Sequence, residues 1–174
     1  MKKCKICKTP FTPIYSTTQN TCSVQCAVKL ANDKKSEDWK KRKAKLKSDL
    51  MTLQDHLKIA QMVFNKFIRL RDQGKECISC GQQPKKANAG HYFSQGGHSS
   101  VRFDEDNVHL QCEHCNSFLS GNLLNYQIGI EKRIGGQKLI ELHSRAHEVK
   151  KWTAEELKEI TDTYRKKIKA IEKK

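Results

Sequence analysis

Cys77-Ile78-Ser79-Cys80, then Ala89-Gly90-His91-Tyr92, then Asn107-Val108-His109-Leu110-Gln111-Cys112-Glu113-His114-Cys115-Asn116: the spacing within this stretch decides how the chain is read. Two Cys-x2-Cys pairs are separated by residues 81–111, an interval across which four thiolates can close on one tetrahedral Zn2+. Residues 85–93 and 101–111 read as strands, joined by a loop containing Ser94, Gly96, Gly97, Ser99 and Ser100. Glu113 to about Gln127 reads as a helix. The prediction for residues 75–135 is a zinc-stapled strand, strand and helix, with His91 at the end of the first strand.

Residues 1–30 hold a second set, Cys4, Cys7, Cys22 and Cys26, with a Thr-rich connection between the pairs. So short a segment cannot bury a core, and a structural Zn2+ supplies roughly 10–16 kcal/mol in small domains of this kind. The predicted shape is a knuckle, a short hairpin and a helix starting near Ser23. A disulfide or redox role is the alternative for this set. Two Cys4 sites account for all eight cysteines. Close pairs without an apolar leader fit a reducing cytoplasm, where disulfides do not persist.

Residues 31–74 are assigned to one long basic helix. From Ser36 to Gln73 there is neither Gly nor Pro, and Leu46, Leu50, Leu53, Leu57, Ala60, Phe64 and Phe67 recur with heptad spacing. Acidic Glu37 and Asp38 suit the first turn and Gly74 the end, giving a helix of roughly 55 Å. Its seam needs a cover, either the chain's own core or a second copy in a homodimer. Lys40, Lys41, Arg42, Lys43, Lys45 and Lys47 crowd the upstream part, a candidate DNA-binding run whose alternative is a solvated face. Residues 136–174 are read as a helical region, with helices at 138–150 and 154–171, the second opened by the capping box Thr153-x-x-Glu156. The fold class is a small zinc-dependent α+β protein.

In a chain of 174 residues with 36% hydrophobic content, a large core is excluded, while 34 Lys and Arg against 19 Asp and Glu leave a net charge of +15. Such a charge calls for a polyanionic partner, and nucleic acid is the reading it favours. A membrane is ranked low: no run of about 18 apolar residues occurs, and the lysine-rich stretch lacks an apolar face.

Hydrolysis of a phosphodiester needs a base for water, a cation at the leaving oxygen and a scaffold for both. A neutral imidazole at His91 suits the base, because it accepts a proton near neutral pH. An amide oxygen at Asn116, directly after the last cysteine, suits Mg2+ or Mn2+. Asn107, before the second strand, can bond the loop backbone and hold His91 in place. Arg102 is a candidate phosphate clamp and equally an ordinary strand-edge arginine. His98, His109 and His114 read as surface or zinc-neighbour histidines, and His143 and His147 lack a third ligand.

The segments Ala89-Gly90-His91 and Asp106 to Asn116 resemble the HNH, or ββα-metal, nuclease motif in its H-N-N form, and the cysteine frame is similar to endonuclease VII type resolvases. Over nearly the whole chain, Cys4-Lys5-Ile6-Cys7, Cys22-Ser23-Val24-Gln25-Cys26, the basic helix, Gly90-His91-Tyr92 and Ser120-Gly121-Asn122 resemble the NinG (Rap) recombination proteins of lambdoid phages. The resemblance implies a phage-encoded endonuclease in the host cytoplasm, acting on branched DNA such as D-loops and Holliday junctions. By position it makes His91 the general base, Asn116 the catalytic metal ligand, Asn107 the loop-orienting residue and Cys77, Cys80, Cys112 and Cys115 structural zinc ligands. One departure stands out. Many members of the wider class place an Asp before the base histidine, and this chain has Gly90. Either Asn116 is the one protein ligand, or Asp104, Glu105 or Asp106 reaches in. The alternatives to a junction nuclease are a non-catalytic zinc-finger DNA-binding recombination factor and an HNH nuclease on linear duplex.

Overall fold

The computed structural model describes residues 1–173 and divides the chain into two compact units, Met1–Met51 and Thr52–Lys174. It is a mixed α+β protein. No helix among the described residues is long and apolar enough to cross a membrane.

The first unit is a small hairpin, β1 (Lys2–Lys3) antiparallel to β2 (Pro10–Phe11), followed by helix α1 (Val24–Asp49). A left-handed Lys8 (φ 65°) turns the knuckle between the strands, and its N–H donates to Cys4 O. Ser23 caps α1 by accepting from Cys26 N at 3.3 Å, so the helix starts where the capping residue predicts. Among these residues only Cys4 and Thr21 are buried, and α1 buries none.

The single helix expected over 36–73 is two helices, α1 and α2 (Leu53–Arg71). Thr52 and Asp55 form a capping box: Thr52 Oγ1 accepts from Asp55 N, and Asp55 Oδ2 accepts from Thr52 N at 3.0 Å. These bonds satisfy the first turn of a new helix, so continuity across 50–52 offers no gain. The heptad seam divides accordingly. Leu46, Leu50 and Leu53 remain exposed, whereas Ala60, Phe64 and Phe67 are buried. Their cover is α5 (Ala154–Glu172) of the same chain, through Leu157, Tyr164 and Ile168. Phe64 meets Tyr164 at 4.8 Å and Phe103 at 5.7 Å edge to face, and each such pair contributes roughly 0.5–1.5 kcal/mol beyond burial.

The hairpin is shorter than its sequence reading. Strand β3 (Ala87–His91) pairs antiparallel with β4 (Val108–Cys112), in a register that sets Ala87 opposite Cys112 and His91 opposite Val108. Residues 99–101 form a 3-10 turn instead of strand, and Asp104 bends the chain by accepting from Asp106 N and Asn107 N. The helix expected over 113–127 is likewise interrupted. A π-helical turn, His114–Phe118, is followed by a reversal through Ser120, Gly121 and Asn122, all at positive φ, before α3 (Leu123–Ile134) begins.

Helix α3 packs against α4 (Gly136–Ala146) and the knuckle, burying Tyr126, Ile130, Leu139 and Leu142 with Ile78 and Val101. Gly129 permits this contact, since a Cβ there would lie 1.8 Å from Ile78 O. Helix α4 ends before the expected Lys150 because the next residues turn to the loop: Lys150 N donates to Ser99 Oγ and Trp152 Nε1 to Ser99 O. The capping box at Thr153 and Glu156 then opens α5 as the sequence indicates.

Candidate functional site

Each cysteine set converges. The four sulfurs of Cys4, Cys7, Cys22 and Cys26 lie within 4.8 Å of one another, as do those of Cys77, Cys80, Cys112 and Cys115. In the second cluster Cys77 and Cys80 come from a knuckle turned at Gly81 (φ 69°), Cys112 ends β4, and Cys115 sits in the π-helical turn. Backbone N–H groups point at sulfur, from Cys112 to Cys77 at 3.3 Å and from Cys115 to Cys112 at 3.4 Å.

Burial raises the Cys77 thiol, but the N–H groups of Cys112, Cys80 and Ser79 outweigh it and bring it down to about 7. Burial pushes Cys115 up to about 12. The first cluster shows the same split, with Cys4 down to about 6 and Cys22 up to about 12. In Cys4 backbone N–H bonds outweigh burial, and in Cys22 the neighbouring Cys7 sulfur leads the rise. Four sulfurs so close cannot all ionise without a cation between them. The donor sets fit Zn2+, and both clusters could hold one.

His91 and Asn116 line one cavity of about 770 Å³. His91 closes β3, and Asn116 follows Cys115 in the π-helical turn, so hairpin pairing and the second cysteine cluster together set where the two side chains stand. Burial pushes the His91 imidazole down to about 4; the Arg102 charge acts in the same sense, against backbone groups of Arg102 and Ala89. The ring is therefore neutral at pH 7. Gln61 Nε2 lies 3.3 Å from His91 Nε2.

Asn107 is fully buried behind this edge. Its Oδ1 accepts from Phe93 N at 2.8 Å, while Nδ2 donates to Phe93 O at 3.0 Å and Val101 O at 2.9 Å. Its own carbonyl accepts from Tyr92 N. The amide thus fixes both ends of the loop that leaves His91.

Several sequence candidates stand elsewhere. Arg102 does not line the cavity: its guanidinium donates to Gln61 Oε1 at 2.8 Å and Gln95 O at 3.1 Å, which removes it as a free phosphate clamp. The acids that were to replace an Asp at position 90 are also committed. Asp104 and Asp106 face Arg145 at 2.9 and 3.7 Å, and Glu105 faces Lys167 and Arg71. No carboxylate lines the cavity among the described residues. A Cβ at Gly90 would lie 2.2 Å from Gln111 Oε1, so the buried Gln111 amide fills the space of a side chain there. A divalent cation here would find amide and hydroxyl oxygens and imidazole nitrogens but no carboxylate among the described residues, and Mg2+ is ordinarily held by one or two carboxylates with substrate phosphates. Its charge balance would have to come from a bound phosphodiester.

Lys40, Lys41, Arg42, Lys43, Lys45 and Lys47 are all exposed on α1. Among the other histidines, His109 is buried against Tyr126, and His98 Nδ1 lies 2.9 Å from Ala146 O. The sequence reading missed Gln61, Asn65 and Arg69, which α2 brings to this edge of the unit. Their signal was a polar residue every fourth position beside an apolar seam.

Residues 1–174 match the family model described as Bacteriophage Lambda NinG protein. The chain is 37% identical over 189 residues to protein ninG of Escherichia phage 933W and 34% identical over 191 residues to protein ninG of Escherichia phage lambda. Each alignment covers 98% of this chain and 93% of the relative. No solved structure matches.

Proposed function

The chain belongs to the NinG family, and from that premise we propose that it is a structure-specific endonuclease of the ββα-metal class, cutting branched DNA by metal-assisted phosphodiester hydrolysis. The observation that carries the reading is the shared cavity of His91 and Asn116, reached from a strand end and a cysteine-held turn, with Asn107 bracing the loop between. The net charge of +15 suits a DNA backbone.

His91, neutral at pH 7, takes the proton from the attacking water. Gln61 donates toward its Nε2 in the free protein, so water entering the cavity replaces that contact. Asn116 Oδ1 and phosphate oxygens of the substrate would hold Mg2+ or Mn2+, whose chemistry is to neutralise the departing 3′ oxygen. The products carry 5′ phosphate and 3′ hydroxyl. A positioned general base contributes about 10²–10⁴ in rate, so His91→Ala should lower cleavage of a labelled four-way junction by at least the lower figure. Junction binding and zinc content should stay intact. Cleavage at the unaltered rate would eliminate the base assignment.

The carboxylate-free lining favours one second reading, a non-catalytic DNA-binding recombination factor. Incubation of four-way and linear duplexes with Mg2+ and Mn2+ separates these readings. A binder shifts the junction without cutting it, and a nuclease for linear duplex turns both over equally.

A further inference from the structure

Helix α2 turns three polar residues, Gln61, Asn65 and Arg69, along one row at four-residue intervals. Gln61 contacts His91 and donates to Asn65 Oδ1 at 2.8 Å. Asn65 and Arg69 line the cavity with His91 and Asn116. The row therefore begins at the imidazole and ends, two helical turns away, at a guanidinium.

The other arginines of this unit are engaged. Arg71 bonds Asp72, Glu105 O and Val108 O, Arg102 bonds Gln61 and Gln95, Arg133 bonds Glu76 O, Arg145 bonds Asp104, and Arg165 faces Asp162 at 3.5 Å. Arg69 makes no salt bridge among the described residues, although Asp72 stands three positions on. With no carboxylate in the lining to neutralise it, its charge is directed to whatever fills the cavity. A planar guanidinium is suited to bidentate bonds with phosphate.

We propose that Arg69, with the Asn65 amide beside it, forms a phosphate-binding subsite that grips the phosphate flanking the scissile one on the strand presented to His91. The proposal rests on the reading of this cavity as the DNA site. It gives α2 a second task besides covering the core, since its apolar face packs on α5 while its polar row tracks a nucleic-acid backbone. It also transfers to Arg69 the role that the sequence suggested for Arg102.

The test uses the full zinc-loaded chain and Arg69→Gln, with Arg69→Lys as a charge-retaining control. Zinc content and circular dichroism establish folding for both. Binding to a synthetic four-way junction without divalent cation, followed against salt, should lose about 0.9 from the log–log slope in Arg69→Gln. Arg69→Lys should keep that slope. Junctions with a neutral methylphosphonate at successive links should weaken wild-type binding at one link, and Arg69→Gln should be insensitive at that link. An unchanged slope with an unchanged methylphosphonate profile overturns the subsite. These readouts need no cleavage. A wild type that fails to cut any DNA while the slope difference persists defeats the nuclease reading and leaves the subsite standing.

Discussion

Cys4, Cys7, Cys22 and Cys26 gather their sulfurs as tightly as Cys77, Cys80, Cys112 and Cys115, yet the two clusters sit in different company. Around the first, Cys4 and Thr21 are the buried residues, and a helix with no buried side chain follows. Around the second, Ile78 in the knuckle joins an apolar cluster with Tyr126, Ile130 and Leu142, and α2 and α5 hold another. A metal in the first cluster has to substitute for a core. In the second it would staple a hairpin to a unit whose helices already cover one another. Two sets of four cysteines, differently spaced, would thus perform two structural tasks, decided by how much apolar surface lies nearby.

The largest effect expected from this contrast is on metal removal. Chelation, or Cys4→Ser, should release the hairpin and the start of α1, a loss on the order of 10 kcal/mol for a site of this kind. Cys112→Ser should disorder the knuckle while α2 and α5 keep their helical signal. Limited proteolysis with amide exchange measures both, and equal collapse of the two units would break the comparison.

A smaller effect tests the core that the first unit lacks. Asp72 is fully buried and accepts from Arg71, Lys75 Nζ at 2.8 Å and Leu110 N at 3.1 Å, joining the end of α2 to β4. Burial alone would raise its carboxyl, but the Arg71 and Lys75 hydrogen bonds hold it well below the usual carboxylate range. A depressed folded pKa stabilises the protein above the unfolded carboxylate value near 4 and loses that contribution as pH falls below it. Asp72→Asn should therefore cost about 3–5 kcal/mol at pH 7. The difference from wild type should shrink toward pH 2, read by urea unfolding through Trp152 fluorescence in a Trp39→Phe background. A pH-independent difference would remove the ion network from the account.

The smallest effect concerns packing beside the site. Gly90→Ala should cost about 1–3 kcal/mol because the new methyl meets Gln111. Adding Gln111→Ala should recover part of it, as a double-mutant thermal melt would report. No recovery would mean that the strand backbone, and not the Gln111 amide, sets the requirement for glycine.

Much of this was legible in the residues. Cysteine spacing announced both clusters, Ser23 and Thr153 marked helix starts, and His91 was placed near the end of a strand read as far as Phe93. These features depend on hydrogen bonds and ligand distances a few residues long, or on ligand chemistry that constrains distant pairs directly. The break at Thr52 carried a local signal too, its pairing with Asp55, but the heptad seam outweighed it in the reading.

Other features could not be read locally. Whether Phe64 and Phe67 meet a second copy or α5 depends on a surface about 100 residues away along the chain. The capture of Asp104 by Arg145 and the turn of Arg102 toward Gln61 each join residues 41 positions apart. The sequence by itself determined the metal-ligand frame and the identity of the residues at the motif positions. Tertiary structure alone decided which charges were neutralised within the protein and which, like Arg69, make no salt bridge among the described residues, because charge pairing follows the packing of elements distant in the chain.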